Sequence, residues 1–130
     1  MSRVNVRYIV SSVDAAIPFY ERLGFALDIH PAPGFARLVR GDLNLLLSQP
    51  AAGGAGQASD AGRQPEPGGW NRFQIEVDDL EATMQGLRDA GVAVRTEIVQ
   101  GNGGRQAVVD DPSGNPVELL EPNGQAGNSG

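Results

Sequence analysis

Residues 4–24 and 71–91 overlay without a gap, and this internal duplication restricts the fold more than any other feature of the chain. Val10 falls on Val77, Val13 on Leu80, Ile17 on Met84, Tyr20 on Leu87 and Gly24 on Gly91. A second register overlays "LNLLLSQP" (43–50) on "NPVELLEP" (115–122), which sets Leu46 against Glu118. The repeated unit reads strand, helix, strand, strand, strand. A helix covers one face of such a sheet and leaves the other free to line a shared cavity.

Local signals place the elements. "VNVRYIV" (4–10) alternates, with Val4, Val6, Tyr8 and Val10 on one face and Asn5, Arg7 and Ile9 on the other. Ser12 is a cap for the following helix, and Asp14 suits its first turn. Val13, Ala16, Ile17, Tyr20 and Leu23 follow helical spacing, and Gly24 sits where a left-handed C-terminal residue belongs. Strands follow at 25–30, 35–40 and 43–48, separated by "PAPG" and "GD". In the second copy, "WNRFQIEV" (70–77) alternates, and Asp79 caps a helix with apolar positions at Leu80, Met84, Leu87 and Ala90. Strands at 92–99, 105–110 and 115–121 complete it.

The chain therefore divides into a first module (1–50), a connector (51–69), a second module (70–122) and a tail (123–130). The connector, "AAGGAGQASDAGRQPEPGG", has nothing that can bury a core and reads as a flexible linker or a lid. The tail reads as disordered.

Composition removes several kinds of chemistry. With 16 acidic and 10 basic side chains the formal charge is -6, which argues against nucleic acid as a partner. There is no cysteine, hence no disulfide, thiolate metal site or Cys nucleophile. The one histidine, His30, stands alone at a strand end and is not nominated as a base. No Ser/His/Asp set, phosphate loop or HExxH motif is present. No signal peptide or membrane span is read, so the expectation is a cytoplasmic protein.

The paired βαβββ pattern, "AAIPFYERLGF" after the first strand and "DDPSGNPVELLEP" at the end resemble the vicinal oxygen chelate superfamily, the glyoxalase, bleomycin-resistance and dioxygenase group. The resemblance runs over residues 4–122. It implies an α+β fold in which two βαβββ modules form a cupped, curled mixed sheet with helices on the outside. In metal-dependent members the ligands project from the first and last strand of each module. Matched residue by residue, those positions fall at Asn5, Leu46, Arg72 and Glu118. Leu46 cannot ligate, Arg72 repels a cation, and Asn5 is a poor ligand for a soft divalent ion. The resemblance thus implies a metal-free member with no cofactor.

Glu118 can be a pocket-lining acid paired with Arg72 or Arg7, or a structural remnant of such a pair. Trp70, the only tryptophan, either stacks on a ligand at a pocket mouth or closes the end of the core, and Phe35 is similar. The expected ligand-binding set is Asn5, Arg7, Phe35, Leu46, Trp70, Arg72, Gln74 and Glu118, with no catalytic residue. The function expected is that of a non-catalytic homodimer that sequesters a small molecule such as an antibiotic. The alternatives are a glyoxalase-like lyase, isomerase or dioxygenase with Glu118 or Glu76 as base, and a small-molecule sensor.

Overall fold

The computed structural model describes residues 3–50 and 64–124. Most of the expected connector and the residues after 124 lie outside this range; residues 64–69 carry no helix or strand. The fold is α+β and consists of two βαβββ modules, each with its own four-stranded mixed sheet. The first comprises β1 (Val4–Ile9), α1 (Val13–Arg22), β2 (Ala26–Ala32), β3 (Phe35–Arg40) and β4 (Leu43–Ser48). The second comprises β5 (Gln74–Glu76), α2 (Leu80–Asp89), β6 (Ala93–Gln100), β7 (Gly104–Asp110) and β8 (Pro116–Pro122). Two compact units result: Met1–Gly68 with Pro112–Asn115, and Gly69–Asp111 with Pro116–Gly130.

The strand orders are β1-β4-β3-β2 and β5-β8-β7-β6. First and last strands pair in parallel, which requires a crossover, and the helix lies within it. The registers match the two overlays read from the sequence. Arg7 lies beside Leu46, and Gln74 beside Glu118. The correspondence extends to the irregularities: β2 slips against β3 between Leu27 and Ile29 and again before Ala32, and β6 slips against β7 between Val94 and Thr96 and again before Val99. Asp28 and Arg95 are therefore the bulged residues at the same place in the two modules.

In the first unit, Leu38, Leu45 and Leu47 from the sheet and Val13, Ala16 and Tyr20 from α1 are fully buried. Tyr20 meets Phe19 and Phe25 edge-on, with centroids 4.8 and 5.7 Å apart. Phe19 is buried where the helical spacing favoured Ile17, which is only half-buried. In the second unit, Val109, Val117 and Leu119 are buried with Leu80 and Met84 of α2, whereas Ala90 is exposed. The expected strand 70–77 shortens to Gln74–Glu76, although the Glu118 N–H still reaches the Phe73 carbonyl. The next rung toward Trp70 would need an N–H at position 116, which is proline.

Helix starts are capped as the sequence indicates. Ser12 Oγ accepts from Ala15 N–H at 3.1 Å and Asp79 Oδ1 from Ala82 N–H at 3.0 Å. Gly24 and Gly91 follow the helices at φ +90° and +83°. A second anchor recurs in both modules. Gln49 Oε1 accepts from Val13 N–H at 3.0 Å, and Glu121 Oε1 accepts from Leu80 N–H at 2.9 Å. Each ties the segment after or at the end of the last strand to the first residue of the helix of its own module. The "PSGN" segment has its own role inside the first unit. Asn115 Nδ2 donates to the Ile9 carbonyl at 2.7 Å, Asn115 Oδ1 accepts from Gly68 N–H at 2.7 Å, and Ser113 Oγ accepts from Ser11 N–H at 2.8 Å.

The Glu121 carboxyl lies below its ordinary value of 4.5, first because of the Leu80 N–H and then because of the Arg105 guanidinium, 3.2 Å away. Arg105 is raised in turn by its bonds to Glu81 and Glu121. A depressed carboxyl stabilises the fold above its unfolded value and loses that contribution as pH falls through the folded one. Glu121→Gln keeps an acceptor, as Gln49 does, and should flatten the loss of stability on acidification below about pH 4.5 in urea titrations; an unchanged pH dependence would contradict this. Leu119→Ala, at a position with no exposure, should cost about 2–5 kcal/mol by the same measurement.

Candidate functional site

Alternation along the strands leaves a second, polar face on each sheet. In the second module it carries Glu118 on β8, Val108 opposite it on β7, and Gln74 beside it on β5. Glu118 is held on both oxygens: Arg72 Nε donates to Oε1 at 2.9 Å and Gln74 Nε2 to Oε2 at 2.7 Å. The Glu118 side chain is 13% exposed and that of Arg72 30%. Arg72 also donates through Nη1 to the Trp70 carbonyl at 3.2 Å, which links the clasp to the segment before β5. Val108 is buried and gives this polar group an apolar neighbour.

Trp70 is 63% exposed, yet its ring is held. The Arg95 guanidinium carbon lies 4.4 Å from the ring centroid. Arg95 is fixed by a 2.9 Å bond from Nε to Asp110 Oδ1 and a further bond from Nη1 to the Gly69 carbonyl. Asp110 falls on the Glu118 face by alternation with Val108. Two Arg–carboxylate pairs and one accessible indole thus occupy one face of one sheet. Paired charges keep rigid donors in place without an uncompensated carboxylate.

The structure brings together four of the eight expected residues: Trp70, Arg72, Gln74 and Glu118. The other four belong to the first unit. Asn5 accepts from Asn44 Nδ2 at 2.7 Å, and Arg7 Nη1 donates to Ser48 Oγ at 2.8 Å. Leu46 is half-buried beside Arg7 and Arg37, and Phe35 is half-buried opposite Ser48. Arg95 was missed because a bulge interrupts period-two counting along β6, whereas alternation along β7 was enough to reach Asp110. Carrying the overlay through both middle strands would have set Arg95 against Asp28.

The residues at the four family metal positions do not fit a divalent ion. The carboxylate of Glu118 is engaged by two donors, one a cation, and Leu46 offers no donor atom. Among the described residues, no three His, Cys, Asp or Glu side chains converge in a way that could hold a metal. No helix among them is long and apolar enough to cross a membrane.

The model of the Glyoxalase/Bleomycin resistance protein/Dioxygenase superfamily matches residues 3–119. No curated protein matches the chain in sequence. Solved structures match it in fold. TnmS3, an antibiotic binding protein from Streptomyces sp. CB03234, is 26% identical with TM-score 0.67, covering 95% of this chain and 98% of that one. A superfamily member from Sphaerobacter thermophilus is 25% identical with TM-score 0.72, covering 93% and 97%. Lactoylglutathione lyase from Agrobacterium tumefaciens, 20% identical with TM-score 0.70 over 98% and 97%, shares the fold.

Removing the guanidinium under the indole should free the ring. In Arg95→Ala, Trp70 fluorescence anisotropy should fall and acrylamide quenching should rise, while far-UV circular dichroism stays the same; unchanged quenching would contradict the stacking.

Proposed function

The chain belongs to the Glyoxalase/Bleomycin resistance protein/Dioxygenase superfamily, and on that premise we propose that it binds a small, flat, polyfunctional molecule such as an antibiotic or natural product and acts by sequestration. The observation that carries this reading is the pairing of an exposed, cation-backed indole with the satisfied Arg72–Glu118–Gln74 clasp. Trp70 supplies a stacking surface, and Arg72 and Gln74 supply placed polar groups. Sequestration asks only for affinity, which such a surface gives when its groups are held in advance. The 26% identity to an antibiotic binding protein supports the ligand class. We further propose that the protein works as a homodimer, with Asn5, Arg7, Phe35 and Leu46 as contributors from the first module.

Turnover by a metal-dependent lyase or dioxygenase is less well supported, because the donor set at the family positions is poor. A panel of polycyclic aromatic and glycopeptide antibiotics, titrated against Trp70 fluorescence and analysed for products, tests both readings. Saturable quenching with the antibiotic recovered intact is expected, and Trp70→Ala should weaken the same affinity, read by calorimetry, by about tenfold or more. Product formation, or an affinity indifferent to Trp70→Ala, would overturn the proposal.

A further inference from the structure

The first module carries an open cavity of about 470 Å³ on the polar face of its sheet. Its volume lies within the range usual for small-molecule sites. Its walls include Arg3, Leu27, Asp28, Arg37, Val39 and Asn44, all in one unit. The correspondence between the modules shows what the second module does at the same place. Continued by one residue, the overlay of 4–24 on 71–91 sets Arg3 against Trp70. The matched slips set Asp28 against Arg95, and the matched registers set Val39 against Asp110. In the second module an indole lies over the bulged residue, with Arg95 and Asp110 bonded beside it. In the first module the tryptophan is replaced by Arg3, and the corresponding place is a cavity.

The walls also define the charge of an occupant. Arg37 donates through Nε to Asp28 Oδ2 at 2.8 Å, which neutralises Asp28. Among the described residues no hydrogen bond is made by the terminal nitrogens of Arg37. Arg3 Nη1 makes only long contacts, 3.4 Å to the Gly41 carbonyl and 3.5 Å to Asn44 Oδ1. Two guanidiniums face one carboxylate, leaving one positive charge and several unused N–H donors. Leu27 and Val39 supply apolar wall. Guanidiniums stack on aromatic planes and take carboxylates in bidentate fashion.

We propose that this cavity binds a flat aromatic ring bearing a carboxylate, the ring lying where the second module keeps its own indole and the carboxylate on Arg37 and Arg3. The walls lie wholly within the first module, on the sheet face that also carries Asn5 and Leu46, and the proposal uses no side chain of the second.

The test uses salicylate as probe and salicylamide as its neutral isostere, titrated into the ¹⁵N-labelled full chain and followed by amide chemical shifts. Salicylate should move the amides of residues 26–28, 37–39 and 44, and salicylamide should bind at least about tenfold more weakly. Arg3→Trp installs the second module's residue in the cavity and should abolish the response. Arg37→Leu should weaken it by about tenfold or more and serves alone if Arg3→Trp disturbs the spectrum. Absence of shifts in the millimolar range, shifts confined to other residues, equal binding of the amide, or full binding by Arg37→Leu would each overturn the proposal. Quenching of Trp70 by antibiotics is a separate readout, so this site and the one in the second module can fail independently.

Discussion

Parallel pairing between the first and last strand of each module is the constraint on which the remaining arrangement depends. Two strands adjacent in a sheet and running the same way cannot be joined by a tight turn. The intervening chain must cross back over the sheet, and here each crossover begins with a ten-residue helix that buries one sheet face. The opposite face is left with side chains that the core does not need. The register then decides which of these meet. Gln74 beside Glu118 follows from the β5–β8 ladder, and the clasp on the carboxylate follows from that.

Polar groups on that face of each sheet neutralise one another before any ligand arrives. Arg72 with Glu118, Arg95 with Asp110, and Arg37 with Asp28 are each within 2.9 Å. None is deeply buried, so their direct effect on stability is modest. Their effect on shape is larger, because a guanidinium held by a carboxylate has few rotamers left to lose when a ligand binds. The indole of Trp70 is treated in the same way, through stacking rather than hydrogen bonding.

Much of this was legible in the sequence because it rests on short-range rules. Helix caps at Ser12 and Asp79, the terminal glycines, and the alternation around Val117 and Leu119 follow from local chemistry. The duplication then supplied the long-range pairing, since two overlays with different offsets fix which strands carry matched residues. What escaped depends on backbone irregularity. Pro116 removes a rung and shortens β5, which no count of apolar residues in 70–77 reveals. The bulge at Arg95 breaks simple alternation along β6, so Arg95 could not be assigned to the site, whereas Asp110 on the regular β7 follows from alternation with Val108. Phe19 enters the core, where its ring meets that of Tyr20 edge-on, and Ile17 is only half-buried.

Gln49 and Glu121 perform the same anchoring with side chains of different charge. What the scaffold demands at that point is an oxygen in the right place, and ionisation is incidental to it. The same holds at the bulge, where the backbone slip persists while an acid in one copy stands against a base in the other. A duplicated framework held by acceptor atoms and strand register is free to let its two halves drift apart in charge. Divergence of that kind allows one repeated fold to offer two chemically unlike surfaces without rebuilding either core.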